Sequence, residues 1–174
     1  MDRDHAAAGG RRLRRRIRGI LLFFIIGLAL SGATAIPLRW EVDLLARAFP
    51  LPTAAAGSVP GLAAWIARVR EGLHATYARY PFIAYGTDWL AFAHFLLAIL
   101  FVGPLVDPVR NRWVLTFGMI ACVLVIPWAL VLGAVRGIPL GWRLVDCLFG
   151  VFGVIPLWLA RRWAVEWGRS DAGS

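Results

Sequence analysis

Lysine is missing from this chain of 174 residues: all 19 basic side chains are arginine. So uniform a bias reads as the mark of a GC-rich genome, not as chemistry required at every position. Acidic residues are few, 10 in all, and the formal net charge is +9. Only 17% of residues are charged, against about 25% in a typical soluble domain. That shortage excludes a disordered chain, a coiled coil and an ordinary soluble domain of this size. Cysteine is nearly lacking too. Cys122 and Cys147 stand alone in apolar runs and make neither a disulfide framework nor a CxxC motif. They read as small apolar residues. No P-loop, GxGxxG, HExxH or GxSxG is found, nor any paired metal-ligand spacing, so no cofactor or metal is expected.

What the chain has instead is apolar sequence, 60% of its residues, gathered in long runs. About 20 apolar residues cross a bilayer core at a rise of 1.5 Å each. Four runs meet that length: 19–37, 88–106, 113–135 and 142–160. Residues 1–18 hold seven arginines and read as a basic, mobile cytoplasmic tail. The first run, with Ala33-Thr34-Ala35 at its end, admits two readings: a retained span or a cleavable signal peptide. Residues 38–86 differ, because charges interrupt them every few positions. Val42, Leu45 and Phe49, and later Leu62, Ile66, Val69 and Leu73, recur at helical spacing. The stretch from Pro50 to Pro60 breaks the chain between these two amphipathic helices. They are expected to lie on a membrane surface or to cap a bundle. Asp107-Pro108 and Arg136-Gly137 open short turns, so spans two, three and four should be antiparallel neighbours. Residues 161–174 form a second tail.

The expected fold is therefore all-α: a four-helix transmembrane bundle with an extracytoplasmic amphipathic segment between spans one and two. Orientation follows from arginine placement. With the N-terminus inside, the inner segments carry the seven tail arginines, Arg110, Arg112, Arg161, Arg162 and Arg169. The outer ones carry Arg39, Arg47, Arg68, Arg70, Arg79, Arg136 and Arg143, spread over more chain. Both termini are then cytoplasmic in a bacterial inner membrane. The charge argues for topology and contact with lipid, not for nucleic acid.

Ionisable residues inside spans are costly and mark function or pairing. His94 lies six residues past Asp88, so about 9 Å into span two. Asp146 sits at a similar depth in span four, and Pro127 at a similar one in span three. Arg143, three residues before Asp146, can pair with it on one helix face. Each span also carries a stripe of small residues: Gly27, Ser31 and Thr34; Ala91 and Ala98 beside His94; Gly118, Cys122 and Gly133; Gly150 and Gly153 beside Asp146. The candidate cluster is thus His94, Asp146, Arg143 and Asp88. It reads equally as a ligand or proton site and as interhelical glue. Asp88 by itself reads as a helix cap and Asp107 as a turn residue. His5 and His74 lie outside the spans and read as solvated.

The segments YPFIAYGTDWLAFAH (80–94), VGPLVDPVRNRWV (102–114), FGMIACVLVIP (117–127) and RGIPLGWRLVDCLFGVFGVIPL (136–157) resemble a family of small four-span bacterial membrane proteins. The likeness covers about residues 20–160 and implies fold and location, with no activity attached. A looser similarity is to VanZ-like proteins, which place an Asp and a His early in one helix. Here Asp88 and His94 take those places, and Trp89 stands where those proteins have a lysine. Three functions follow as expectations: a small-ligand or proton-handling protein, a non-catalytic accessory subunit that meets other membrane proteins or its own copies, or an enzyme acting on a lipid or envelope precursor. The last has the least support, since no nucleophile accompanies the His–Asp pair.

Overall fold

A computed structural model describes residues 2–50 and 60–172. These are helical, with no strand among the described residues. The helices are α1 (Asp2–Ala35), α2 (Leu38–Ala48), α3 (Pro60–Arg79), α4 (Tyr85–Leu100), α5 (Val102–Val106), α6 (Arg112–Val135) and α7 (Leu140–Ala172), with a 3-10 turn at Pro81–Ala84 before α4. Four stretches are long and apolar enough to cross a membrane: Gly10–Ala35, Pro81–Val106, Arg112–Val135 and Leu140–Arg169. The fold is all-α and the chain is a multi-pass membrane protein. The breaker expected between Pro50 and Pro60 falls on 51–59, outside the described residues.

Three of the four stretches outrun the apolar runs that announce them. The basic segment before the first apolar run is helical, continuous with the first span from Asp2. Arginine is a good helix former, and Arg14 and Arg16 each stack on a tryptophan of α7, Trp167 and Trp163. The C-terminal tail is likewise helix as far as Ala172. At the second span, Phe82, Ile83 and Tyr85 carry the apolar helical stretch back to Pro81.

The chain divides into two compact units, 1–28 with 96–174 and 29–95. In the first unit, Ile17 and Leu21 of α1, Phe101, Leu115 of α6, and Leu157, Ala160 and Ala164 of α7 form one buried core. Small residues let these helices approach. A Cβ on Gly118 would meet the Phe101 ring and Leu157. A Cβ on Gly150 would run into the Cys122 carbonyl, and one on Gly153 into the Cys122 Sγ.

The α6–α7 hairpin is held in one register along its length. Three α6 carbonyls, one turn apart, each face an α7 residue. Leu130 O accepts from Arg143 Nη1 (3.1 Å), Ile126 O from Cys147 Sγ (3.9 Å), and Cys122 O abuts Gly150. Gly137, with φ of +69°, makes the turn. Its N–H bonds Ala134 O (3.1 Å), and Ile138 N–H bonds Gly133 O (2.8 Å). This is the double bond of a left-handed helix C-cap, which glycine accepts without a Cβ clash.

Asp107 is a turn residue, as expected. Its Oδ1 accepts from the N–H groups of Val109 (3.1 Å) and Arg110 (3.0 Å). Asn111 Nδ2 closes the same turn by donating to Gly103 O (3.2 Å) and Asp107 O (2.9 Å). Upstream, Pro104 has no N–H for the Leu100 carbonyl, which is where α4 stops.

In the second unit, α2 and α3 pack on each other, and their buried residues are Val42, Ala63 and Ile66. The end of α1 meets α4 at Gly32, not at the expected stripe. Gly27, Ser31 and Thr34 are exposed, whereas a Cβ on Gly32 would lie 2.9 Å from the His94 Cβ and 3.0 Å from Ala91 O. Counting from small residues chose a face about 100° away from the true one, one residue's turn.

Candidate functional site

His94 is placed by α4 and fixed by its own helix. Its Nδ1 lies 2.8 Å from the Leu90 carbonyl oxygen. A carbonyl only accepts, so Nδ1 carries a proton, and in the neutral form of the ring the lone pair is then on Nε2. The ring is half-buried, and a Cβ on Gly32 of α1 would stand 2.9 Å from the His94 Cβ. Ala91 and Ala98, on the same face of α4, are buried. The stripe of small residues around His94 is thus real in α4, and it leaves the imidazole as an acceptor in apolar surroundings.

Asp88 does not cap α4. The helix starts earlier, at Tyr85, so Asp88 sits exposed in the first turn, where a carboxylate still favours the positive end of the helix dipole. Thr87 Oγ1 donates back to Ala84 O at 2.7 Å. The earlier start also moves His94 to the middle of the apolar stretch Pro81–Val106, while Asp146 lies only six residues into α7.

In the first unit, Arg143 does not pair with Asp146. Its aliphatic stem covers Gly133, with Cδ 2.5 Å from where a Cβ would stand, and its Nη1 bonds Leu130 O. Leu130 lies near the C-terminal end of α6, toward the negative end of the helix dipole, and its carbonyl offers a second lone pair beyond its helical bond. A guanidinium lying over it is therefore well placed. Its Nε is buried without a partner. Asp146 is half-buried on α7, one residue before Cys147 in the register ladder.

The sequence reading missed the best-connected polar group among the described residues. It lies on the α2–α3 pair, and His74, expected in solvent, is its centre. Arg39 Nη2 donates to His74 Nδ1 (3.1 Å). His74 Nε2 lies 3.0 Å from Asp43 Oδ1, and Arg70 Nε donates to the same oxygen at 2.6 Å. Arginine cannot accept, so Nδ1 is the acceptor and Nε2–H donates to the carboxylate. The geometry requires a neutral imidazole between a cation and an anion. The Arg70 bond holds the Asp43 carboxyl below its usual range; desolvation opposes this and the His74 bond assists. A proton added at Nδ1 would remove the acceptor and set two cations against each other. One signal was present in the sequence: Arg70 and His74 are four apart, on one face of α3. Nothing in it points to Asp43 across the loop.

No family model, curated protein or solved structure matches the chain. Among the described residues, no three His, Cys, Asp or Glu side chains converge as a metal site would require.

Proposed function

We propose that this multi-pass protein lies in the bacterial inner membrane with both termini cytoplasmic and α2–α3 outside. There it takes up a proton or a small polar hydrogen-bond donor at Nε2 of His94. The arginine distribution supports the orientation, and the resemblance to small four-span bacterial proteins agrees with it. One observation supports the site: Nδ1–H is tied to Leu90 O at 2.8 Å, so that in the neutral ring Nε2 is the nitrogen left to accept. A half-buried neutral histidine inside a span is a costly residue with an acceptor to offer.

The test is nitrogen NMR of histidine-labelled protein in nanodiscs at pH 7.5, with His94→Gln to assign the signal. An unprotonated Nε2 is expected. A signal showing the proton on Nε2 would sink the proposal. Liposomes with an imposed pH gradient then read proton uptake and release. Wild type should dissipate the gradient faster than empty vesicles, and His94→Ala should not, while His74→Ala should match wild type.

A second reading, an accessory subunit, is favoured by α2. Trp40 and Leu44, one helical turn apart on α2, are both more than half exposed, and Ile36 in the turn before the helix is exposed as well. Such a row suits a membrane partner, a second copy or the lipid surface. Mass measurement of the native protein in lipid particles separates a lone chain from an oligomer.

A further inference from the structure

The exposed face of α7 changes character along its length. Phe149 and Phe152 are 70% and 68% exposed, and Ile155 is 51% exposed, as suits a surface against acyl chains. The same face continues through Trp158 to Arg161, Arg162, Val165, Glu166 and Arg169, spaced three and four apart. These six line an open cavity of about 430 Å3. Three guanidinium groups thus surround one carboxylate, a net charge of +2 at the cavity wall.

Two of the three arginines are oriented. Arg161 Nε donates to Thr116 Oγ1 of α6 at 3.0 Å, which fixes the stem and leaves the two terminal nitrogens beyond that bond. Arg162 stacks over the Trp158 ring, 5.6 Å from its centre. A guanidinium set on an aromatic plane keeps its in-plane N–H groups for an oxyanion. Trp158 stands at the border between the apolar and basic parts, the depth at which interfacial tryptophans sit. Basic cavities at the ends of membrane helices suit anionic lipid head groups.

We infer that this face of α7 is a binding site for an anionic phospholipid. The phosphodiester is held by Arg161, Arg162 and Arg169, the glycerol region lies against Trp158 and Val165, and the acyl chains run along Ile155 and Phe152. The occupant is a lipid and not free phosphate, because the apolar surface is continuous with the basic cavity. This site lies on a different helix from His94 and is independent of the function proposed for it.

The test uses the full chain in nanodiscs of mixed phosphatidylglycerol and phosphatidylcholine, with retained lipids counted by native mass spectrometry after detergent release. Wild type should retain phosphatidylglycerol in clear excess. The variant Arg161→Gln/Arg162→Gln/Arg169→Gln should lower that excess by about tenfold or more, since each arginine near the surface attracts anionic lipid. Arg110→Gln/Arg112→Gln removes charge elsewhere on the chain and should change the excess less than twofold. Equal losses in both variants, or none in the triple variant, would overturn the site in favour of bulk attraction. Displacement of the lipid by 10 mM inorganic phosphate (on the order of a routine buffer) would overturn the lipid assignment. Trp158→Ala, which leaves every charge in place, should also lower retention, and an unchanged count would overturn the placement of the lipid on this face of α7. Helical circular dichroism on each variant separates loss of lipid from loss of fold.

Discussion

Gly150→Ala adds one methyl group where the structure leaves no room for it. The new Cβ would meet the main-chain carbonyl of Cys122, and Ile126 Cγ1 lies 3.2 Å away. A side chain can rotate aside, but a carbonyl within a helix can move only if the helix moves. α6 and α7 would have to separate, and the same register ladder carries Cys147 on Ile126 O and Arg143 on Leu130 O. Overpacking a tight contact costs about 1–3 kcal/mol, and a backbone neighbour puts this site near the upper end. The gain in helix propensity from Gly to Ala, about 1 kcal/mol, acts the other way. The net expectation is a loss of about 1–2 kcal/mol.

Gly27→Ala is the matched control. It makes the same chemical change inside a membrane-crossing helix, and nothing lies within 4 Å of the added Cβ. It should be neutral or stabilising by up to about 1 kcal/mol. Equilibrium unfolding in mixed micelles of increasing denaturing detergent measures both. If Gly150→Ala is as stable as Gly27→Ala, the close α6–α7 approach is refuted.

Three further outcomes are expected. Asn111→Ala removes both bonds that tie the 107–111 turn to Gly103 O and Asp107 O and should cost about 1–2 kcal/mol in the same titration. The α2–α3 pair should loosen in acid. The Asp43 carboxyl is depressed in the folded state, so its contribution is complete above the ordinary value of 3.8 and is lost as pH falls through and below it. Spin-label distances between α2 and α3 should broaden over that range in wild type and show no such step in Asp43→Asn. Gly137→Ala places a Cβ at a φ of +69° and should destabilise the α6–α7 turn by about 1 kcal/mol in the detergent titration, with no change in helical content.

The four spans were legible because the bilayer imposes one rule on long stretches: apolar for about 20 residues, with arginines beyond. That rule says nothing of where a helix starts once it leaves the lipid. Hence Asp2–Arg18 and Arg161–Ala172 are helix although their composition reads as tail. Helical phase was legible where small residues oppose a partner, as at Gly118, Gly150 and Ala91. It failed in α1 because Gly27 and Ser31 are small without being packed, and only Gly32 has a neighbour that needs the space.

The charged residues show a deeper limit. A span charge was read as needing an opposite charge, which made Asp146 the partner of Arg143. In apolar surroundings the second lone pair of a helix carbonyl is equally an acceptor, and it costs no second ion to desolvate. Arg143 takes Leu130 O on these terms, and His94 takes Leu90 O in the same way. Carbonyls are present at every residue and leave no trace in the composition, so pairing rules written for side chains miss them. In the charge-rich α2–α3 pair the opposite holds. There Arg39, Asp43, Arg70 and His74 do find one another, because water lets charged residues occupy a helix face at little cost and the α2–α3 packing brings those faces together. A histidine in a span is then read from its backbone partner, and a histidine on a surface hairpin from the ions around it. For this chain the first criterion ties His94 Nδ1 to Leu90 O, and the second makes His74 a link between α2 and α3.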